Sequence, residues 1–100
     1  MDFKTDIWYL VKTKPRMEEI TESNLINQDI EYFLPRFTSG KRANKVIFPG
    51  YIFIKPRMGN TYQSIRSTRG VNDFVRFKMY FANARNETIN ELKNIANHHN

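Results

Sequence analysis

A chain of 100 residues has the length of one compact domain with one core, and 40% hydrophobic with 14% aromatic residues argues against intrinsic disorder. The absence of cysteine excludes disulfide frameworks and Cys-ligated zinc, and no apolar run approaches the roughly 20 residues of a membrane span. Met1-Asp2-Phe3-Lys4-Thr5-Asp6 lacks the apolar segment of a signal peptide, so the cytoplasm is the expected location; a formal charge of +6 points to a polyanionic partner or serves solubility alone.

Ile7-Trp8-Tyr9-Leu10-Val11-Lys12 is dense in β-branched and aromatic residues and reads as a central strand interrupted at Thr13 and Pro15. A helix is predicted from Pro15, fit for a first helical turn, to Gln28, with a modest stripe of Met17, Thr21 and Leu25. Ile30 to Leu34 reads as a short strand stopped by Pro35, and Arg36 to Lys45, basic and without a carboxylate, as an exposed, mobile hairpin or loop. After Pro49-Gly50 the chain resumes as a strand, Tyr51 to Lys55. Thr61 to Arg66 reads as a short helix, Val71 to Phe77 as the last strand, and Lys78 to Arg85 as a linker. Asn86 can cap a final helix that places Ile89, Leu92, Ile95 and Ala96 on one face. The order implies an α+β sandwich: a largely antiparallel four-stranded sheet flanked by helices, of the RRM or ferredoxin-like kind.

Along Tyr51-Ile52-Phe53-Ile54, side chains alternate, so two aromatics share one face and two isoleucines the other. The aromatic face is either core or an exposed patch of the kind that marks a protein partner. Cations gather at Lys12, Lys14 and Arg16, at Lys41, Arg42 and Lys45, and at Arg66, Arg69, Arg76 and Lys78, where they meet phosphates or simply solvent. Signs of catalysis are poor. His98 and His99 are adjacent with no further ligand at metal-site spacing, Glu18 and Glu22 have the spacing of an exposed helical face, and no phosphate-cradling glycine loop occurs. Neither metal, cofactor nor enzymatic activity is expected.

Three stretches carry a resemblance: Trp8-Tyr9-Leu10-Val11 with Lys14-Pro15-Arg16, then Phe48-Pro49-Gly50-Tyr51-Ile52-Phe53, then Thr68-Arg69-Gly70-Val71-Asn72-Asp73-Phe74-Val75-Arg76-Phe77. Their order and spacing, over roughly residues 7 to 78, resemble the N-terminal (NGN) domain of the NusG/RfaH family of transcription elongation factors, and the last stretch is more similar to the RfaH branch. The resemblance implies one NGN domain over 1–100, a monomer that docks on the clamp helices of the largest RNA polymerase subunit and suppresses pausing. The small C-terminal KOW domain that normally follows in the family is expected to be absent from this chain.

Carried over by position, the polymerase-facing patch is Phe48, Pro49, Tyr51, Phe53, Phe74 and Phe77, and a contact to non-template DNA falls on Lys14, Arg16, Thr68 and Arg69. A second polymerase-contact loop aligns with Thr61, Tyr62 and Gln63. Ile20 and Asn24 stand where RfaH carries basic or histidine side chains, which puts sequence-specific recruitment in question. The rival reading is a stand-alone RRM-like module in which Tyr51 and Phe53 stack on single-stranded bases.

Overall fold

The computed structural model of the chain describes residues 3–98, and their side chains as far as Ile95. Strand β1 (Ile7–Thr13) lies at the centre of an antiparallel sheet whose order is β2 (Glu31–Phe33), β3 (Tyr51–Lys55), β1, β4 (Val71–Phe74). Its aromatic and β-branched residues suit a strand covered on both faces. The free edge of β1 is shared: β4 pairs with Val11 to Thr13, and β7 (Asn83–Arg85) with Ile7 to Tyr9. In effect the fourth strand is one strand interrupted. Between its halves Val75 and Ala82 bond to the backbone of Leu10, and the chain makes an excursion as the hairpin β5 (Arg76–Phe77) and β6 (Tyr80–Phe81). The sheet is thus four strands wide, as expected, but the segment Lys78 to Arg85 is not the simple linker its composition suggested.

One face of the sheet carries Tyr9, Val11, Ile52, Ile54 and Phe74, and it is closed by Leu25 of α1 (Glu18–Asn27) and Ile65 of α2 (Tyr62–Arg66). Alternation places Trp8, Leu10, Tyr51 and Phe53 on the opposite face. There α3 (Asn86–His98) covers the end near Trp8, whose indole N–H donates to Asn86 Oδ1 at 2.7 Å while Ile89 is fully buried.

Helix α1 starts later than Pro15 suggested. Arg16 has φ of +61°, which no helical turn accommodates, and Met17 occupies the cap position. Thr21 and Leu25 of the expected stripe are buried. Asn86 is the first residue of α3, with its side-chain oxygen taken by Trp8, and Ile95 is exposed. Ala96, His98 and His99 lie outside the described side chains. Helix α2 is fixed by a capping box, in which the Thr61 hydroxyl accepts from the Ser64 N–H and Ser64 Oγ accepts from the Thr61 N–H.

Candidate docking surface and cationic edge

The uncovered half of the second sheet face is a hollow of about 340 Å³ lined by Leu10, Pro35, Phe48, Tyr51, Phe53 and Leu92. Every lining residue is apolar or aromatic, and Phe48 and Tyr51 are 50% and 40% exposed. Phe53 is half-buried because its ring stacks on Phe33 at 6.3 Å. The alternation of β3 sets this arrangement: Ile52 and Ile54 are fully buried below, so Tyr51 and Phe53 must face the other way.

Pro49 is exposed beside Phe48, but the other expected patch residues lie elsewhere. Phe74 is only 4% exposed, on the core face opposite Val11, and stacks on Tyr62 at 5.3 Å and Phe81 at 4.8 Å. Residue parity explains the correction, since Phe74 falls on the covered side of β4 and no exposed surface is available to it. Phe77 is 74% exposed but stands on the β5–β6 hairpin, outside the hollow. Leu10, Pro35 and Leu92 were missed in the sequence; for Leu10 the signal was there, because it pairs in register with Phe53 and so shares its face.

Four cationic or polar positions were expected at the DNA contact, and three of them are exposed: Lys14, Arg16 and Arg69. The Lys14 N–H donates to the Gly70 carbonyl at 2.8 Å, which brings the ends of β1 and of the α2–β4 turn together. Thr68 is buried, and its hydroxyl donates to the Ser64 carbonyl at 3.1 Å and accepts from Gln28 Nε2 at 2.9 Å. With both bonding capacities used internally, Thr68 is a structural residue and leaves the surface. Of the second loop, Gln63 is exposed, Thr61 is occupied as a cap, and half-buried Tyr62 donates to Asp73 Oδ1 at 3.1 Å while accepting from Arg76 Nη2 at 2.6 Å.

Glu18 and Glu22, which read as an exposed acidic face, fasten the long β2–β3 connection. Arg36 donates from Nη1 and Nη2 to the two Glu22 oxygens at 2.8 and 2.9 Å, and the Tyr32 hydroxyl donates to Oε2 at 2.8 Å. Glu18 accepts the Gly50 N–H at 3.0 Å. The Arg36 hydrogen bonds hold the Glu22 carboxyl below the usual carboxylate range against the opposing effect of burial. Burial, and then the anionic Glu22, push the Tyr32 phenol up to about 12, and the Glu22 hydrogen bond raises Arg36. Sequence spacing alone carried no signal of this pairing, because Glu22 and Arg36 meet only through the packing of α1 beside β2.

An antiparallel α+β domain with one apolar sheet face left open and a cationic edge is the class of structure defined here. The family model described as transcription termination factor nusG matches residues 6–93, and the chain belongs to the NusG family, a family of transcription factors. A solved structure of NusG from Thermotoga maritima is similar in fold, with a TM-score of 0.63 at 22% identity over 89% of this chain and 56% of that one. The chain therefore spans little more than half the length of that NusG. No curated protein sequence matches it. Among the described residues no helix is long and apolar enough to cross a membrane, and no group of His, Asp and Glu is placed to hold a metal ion.

Proposed function

We propose that this domain docks on RNA polymerase through the open apolar hollow, with the clamp helices of the largest subunit as its seat, and that it suppresses pausing. The observation that carries the reading is the hollow itself: Phe48, Tyr51 and Phe53 form an aromatic surface without a polar residue in its lining, on a face that α3 leaves half covered. Aromatics so placed bury much area at little conformational cost, as interface anchors do. Pause suppression then needs only that the bound domain favour the active clamp over the paused one, by its difference in affinity for the two states. Lys14, Arg16 and Arg69 are assigned to the backbone of the non-template strand, and the Arg69 to Phe77 stretch favours the RfaH branch of specialised factors.

Binding to purified bacterial polymerase without nucleic acid tests this. Tyr51→Ala with Phe53→Ala is expected to weaken binding by about 100-fold or more, while circular dichroism stays native because Ile52 and Ile54 hold the other face of the strand. Equal binding by the double variant overturns the docking surface. Binding to single-stranded DNA alone, with none to polymerase, returns the RRM-like reading.

A further inference from the structure

The β5–β6 hairpin ends in an apolar knob. Phe77, Met79 and Tyr80 are 74%, 80% and 70% exposed, and they are neighbours at a turn of two residues. Together they present on the order of 400 Å² of surface, within the range of the patches that mark contact sites on monomers. The knob is also held in place. At its root Phe81 stacks on Phe74 at 4.8 Å and on Tyr62 at 5.7 Å, and the Arg76 guanidinium lies over the rings of Tyr62 and Phe81 at 5.5 and 5.2 Å. Lys78, at φ of +59°, turns the tip in a left-handed conformation that favours glycine. A tip fixed in this way loses little conformational freedom on binding.

The same chain carries a matching concavity, because the hollow on the other side of the sheet edge is apolar or aromatic throughout. Charge is arranged to match as well. The knob is flanked by Lys78 and by Arg76, which is only loosely paired with Asp73 at 3.9 Å. Helix α3 brings Glu91 beside Leu92 at the rim of the hollow, with Glu87 one turn earlier; both carboxylates are exposed and in no ion pair among the described residues. Lys93, their neighbour in sequence, is held over the rings of Trp8 and Phe33 at 5.5 Å.

We propose that the knob of one copy of this chain seats in the hollow of a second copy, which returns the contact. Area favours the reciprocal pair: one knob in one hollow buries on the order of 700 Å² over both surfaces, the size of a crystal-packing contact, whereas two reach about 1,500 Å², inside the range of stable interfaces. A bilayer would use the apolar tip and its cations alone; carboxylates at the rim of an apolar hollow select the copy, fixing orientation more than affinity. The net charge of +6 opposes pairing, but charge spread over the molecule is screened beyond about 8 Å at physiological salt, and apolar burial is not. Knob and polymerase cannot share the hollow, so pairing would withhold concentrated chain from polymerase; the pairing itself does not depend on that docking.

Because the chain has no cysteine, single cysteines report the contact. Met79→Cys and Leu92→Cys are made in separate chains, one of them isotopically heavy, and mixed under mild oxidation. The mixed disulfide is expected to exceed either homodimer by about tenfold or more, since seating raises the effective concentration of one thiol at the other. A statistical mixture of the three disulfides overturns the seating. Sedimentation of the parent chain is expected to show a monomer to dimer transition, shifted to higher concentration by about tenfold or more in Met79→Ser with Tyr80→Ser. Both side chains are exposed, so circular dichroism of that variant stays native. A parent that remains monomeric up to about 1 mM overturns the pair, as does a dimer that the variant leaves unchanged. Pelleting of the parent with vesicles of anionic phospholipid, lost in the variant and without the mixed disulfide, overturns it in favour of a membrane anchor. A chain that pairs but fails to bind polymerase sinks the docking reading alone, and one that binds polymerase but never pairs sinks the pairing alone.

Discussion

The two faces of β3 belong to one strand of five residues, yet they have opposite fates. Ile52 and Ile54 are fully buried under α1 and α2, while Tyr51 on the other side is 40% exposed and Phe53 is half-buried. A strand that is apolar on both faces requires two covers. Here one cover is complete, and the other, α3, protects Trp8 and reaches the hollow only at its rim, through Leu92. The difference separates two fates of the same apolar chemistry: burial that holds the fold, and an exposed surface, the one to which docking is assigned in the proposed function.

The covered face can be broken most severely at a point where no side chain exists. Gly70 has φ of +97°, and a Cβ there would overlap Thr21 Oγ1 on α1. Gly70→Ala should therefore force α1 away from the turn that also carries Arg69, costing about 3 kcal/mol or more in urea denaturation. A loss below about 1 kcal/mol would mean that α1 is free to shift, and that the covered face is less rigid than its packing suggests.

A milder pair of substitutions sharpens the contrast within β3. Ile52→Ala empties a site of zero exposure and should cost roughly 2–5 kcal/mol, whereas Tyr51→Ala removes a side chain that borders only the hollow and should cost less than about 1 kcal/mol. Denaturant midpoints of the two variants, measured side by side, decide it. Similar losses would place both faces in the core and remove the docking surface.

How much of this could be read beforehand depended on distance along the chain. The strands β1 and β3 and the capped helix α2 were legible because period-two alternation and a local Thr61–Ser64 capping pair are properties of neighbours in sequence. The split of the last strand was not: Asn83 and Ala84 have little strand propensity and pair with β1 only because Val75 has already turned the chain away from that edge. Phe74 and Thr68 show the same limit at the site. Family position named them, but their side of the sheet and their internal partners decide what they can touch, and both face inward. Glu22 is the converse case, a helix-surface carboxylate by spacing that becomes an anchor through a residue 14 positions away.

That anchor yields a smaller expected effect than either core substitution, and the one with the clearest signature. Glu22 and Arg36 side chains are 17% and 28% exposed, so their pairing is only partly screened, and Glu22→Gln should cost about 1–2 kcal/mol at neutral pH. The sign of its pH dependence follows from the directions of the two shifts. Because the Glu22 carboxyl is held below its ordinary value in the fold, its contribution is complete above the unfolded value of 4.5 and is lost as pH falls through the lower folded value. Tyr32 behaves oppositely: with its phenol pushed from 10.0 to about 12, its contribution is complete below pH 10 and is lost as pH rises from there towards 12. The stability of the parent chain minus that of Glu22→Gln should therefore form a plateau between about pH 6 and 9, shrink in acid as Glu22 becomes a neutral carboxyl resembling glutamine, and decline again in strong alkali. Tyr32→Phe should remove most of the alkaline decline and spare the acid one. Thermal denaturation across pH at fixed ionic strength measures all three curves; a difference that stays constant from about pH 6 down to about pH 3 would show that the start of the β2–β3 connection is held by shape and backbone bonds, with the ion pair contributing nothing of its own.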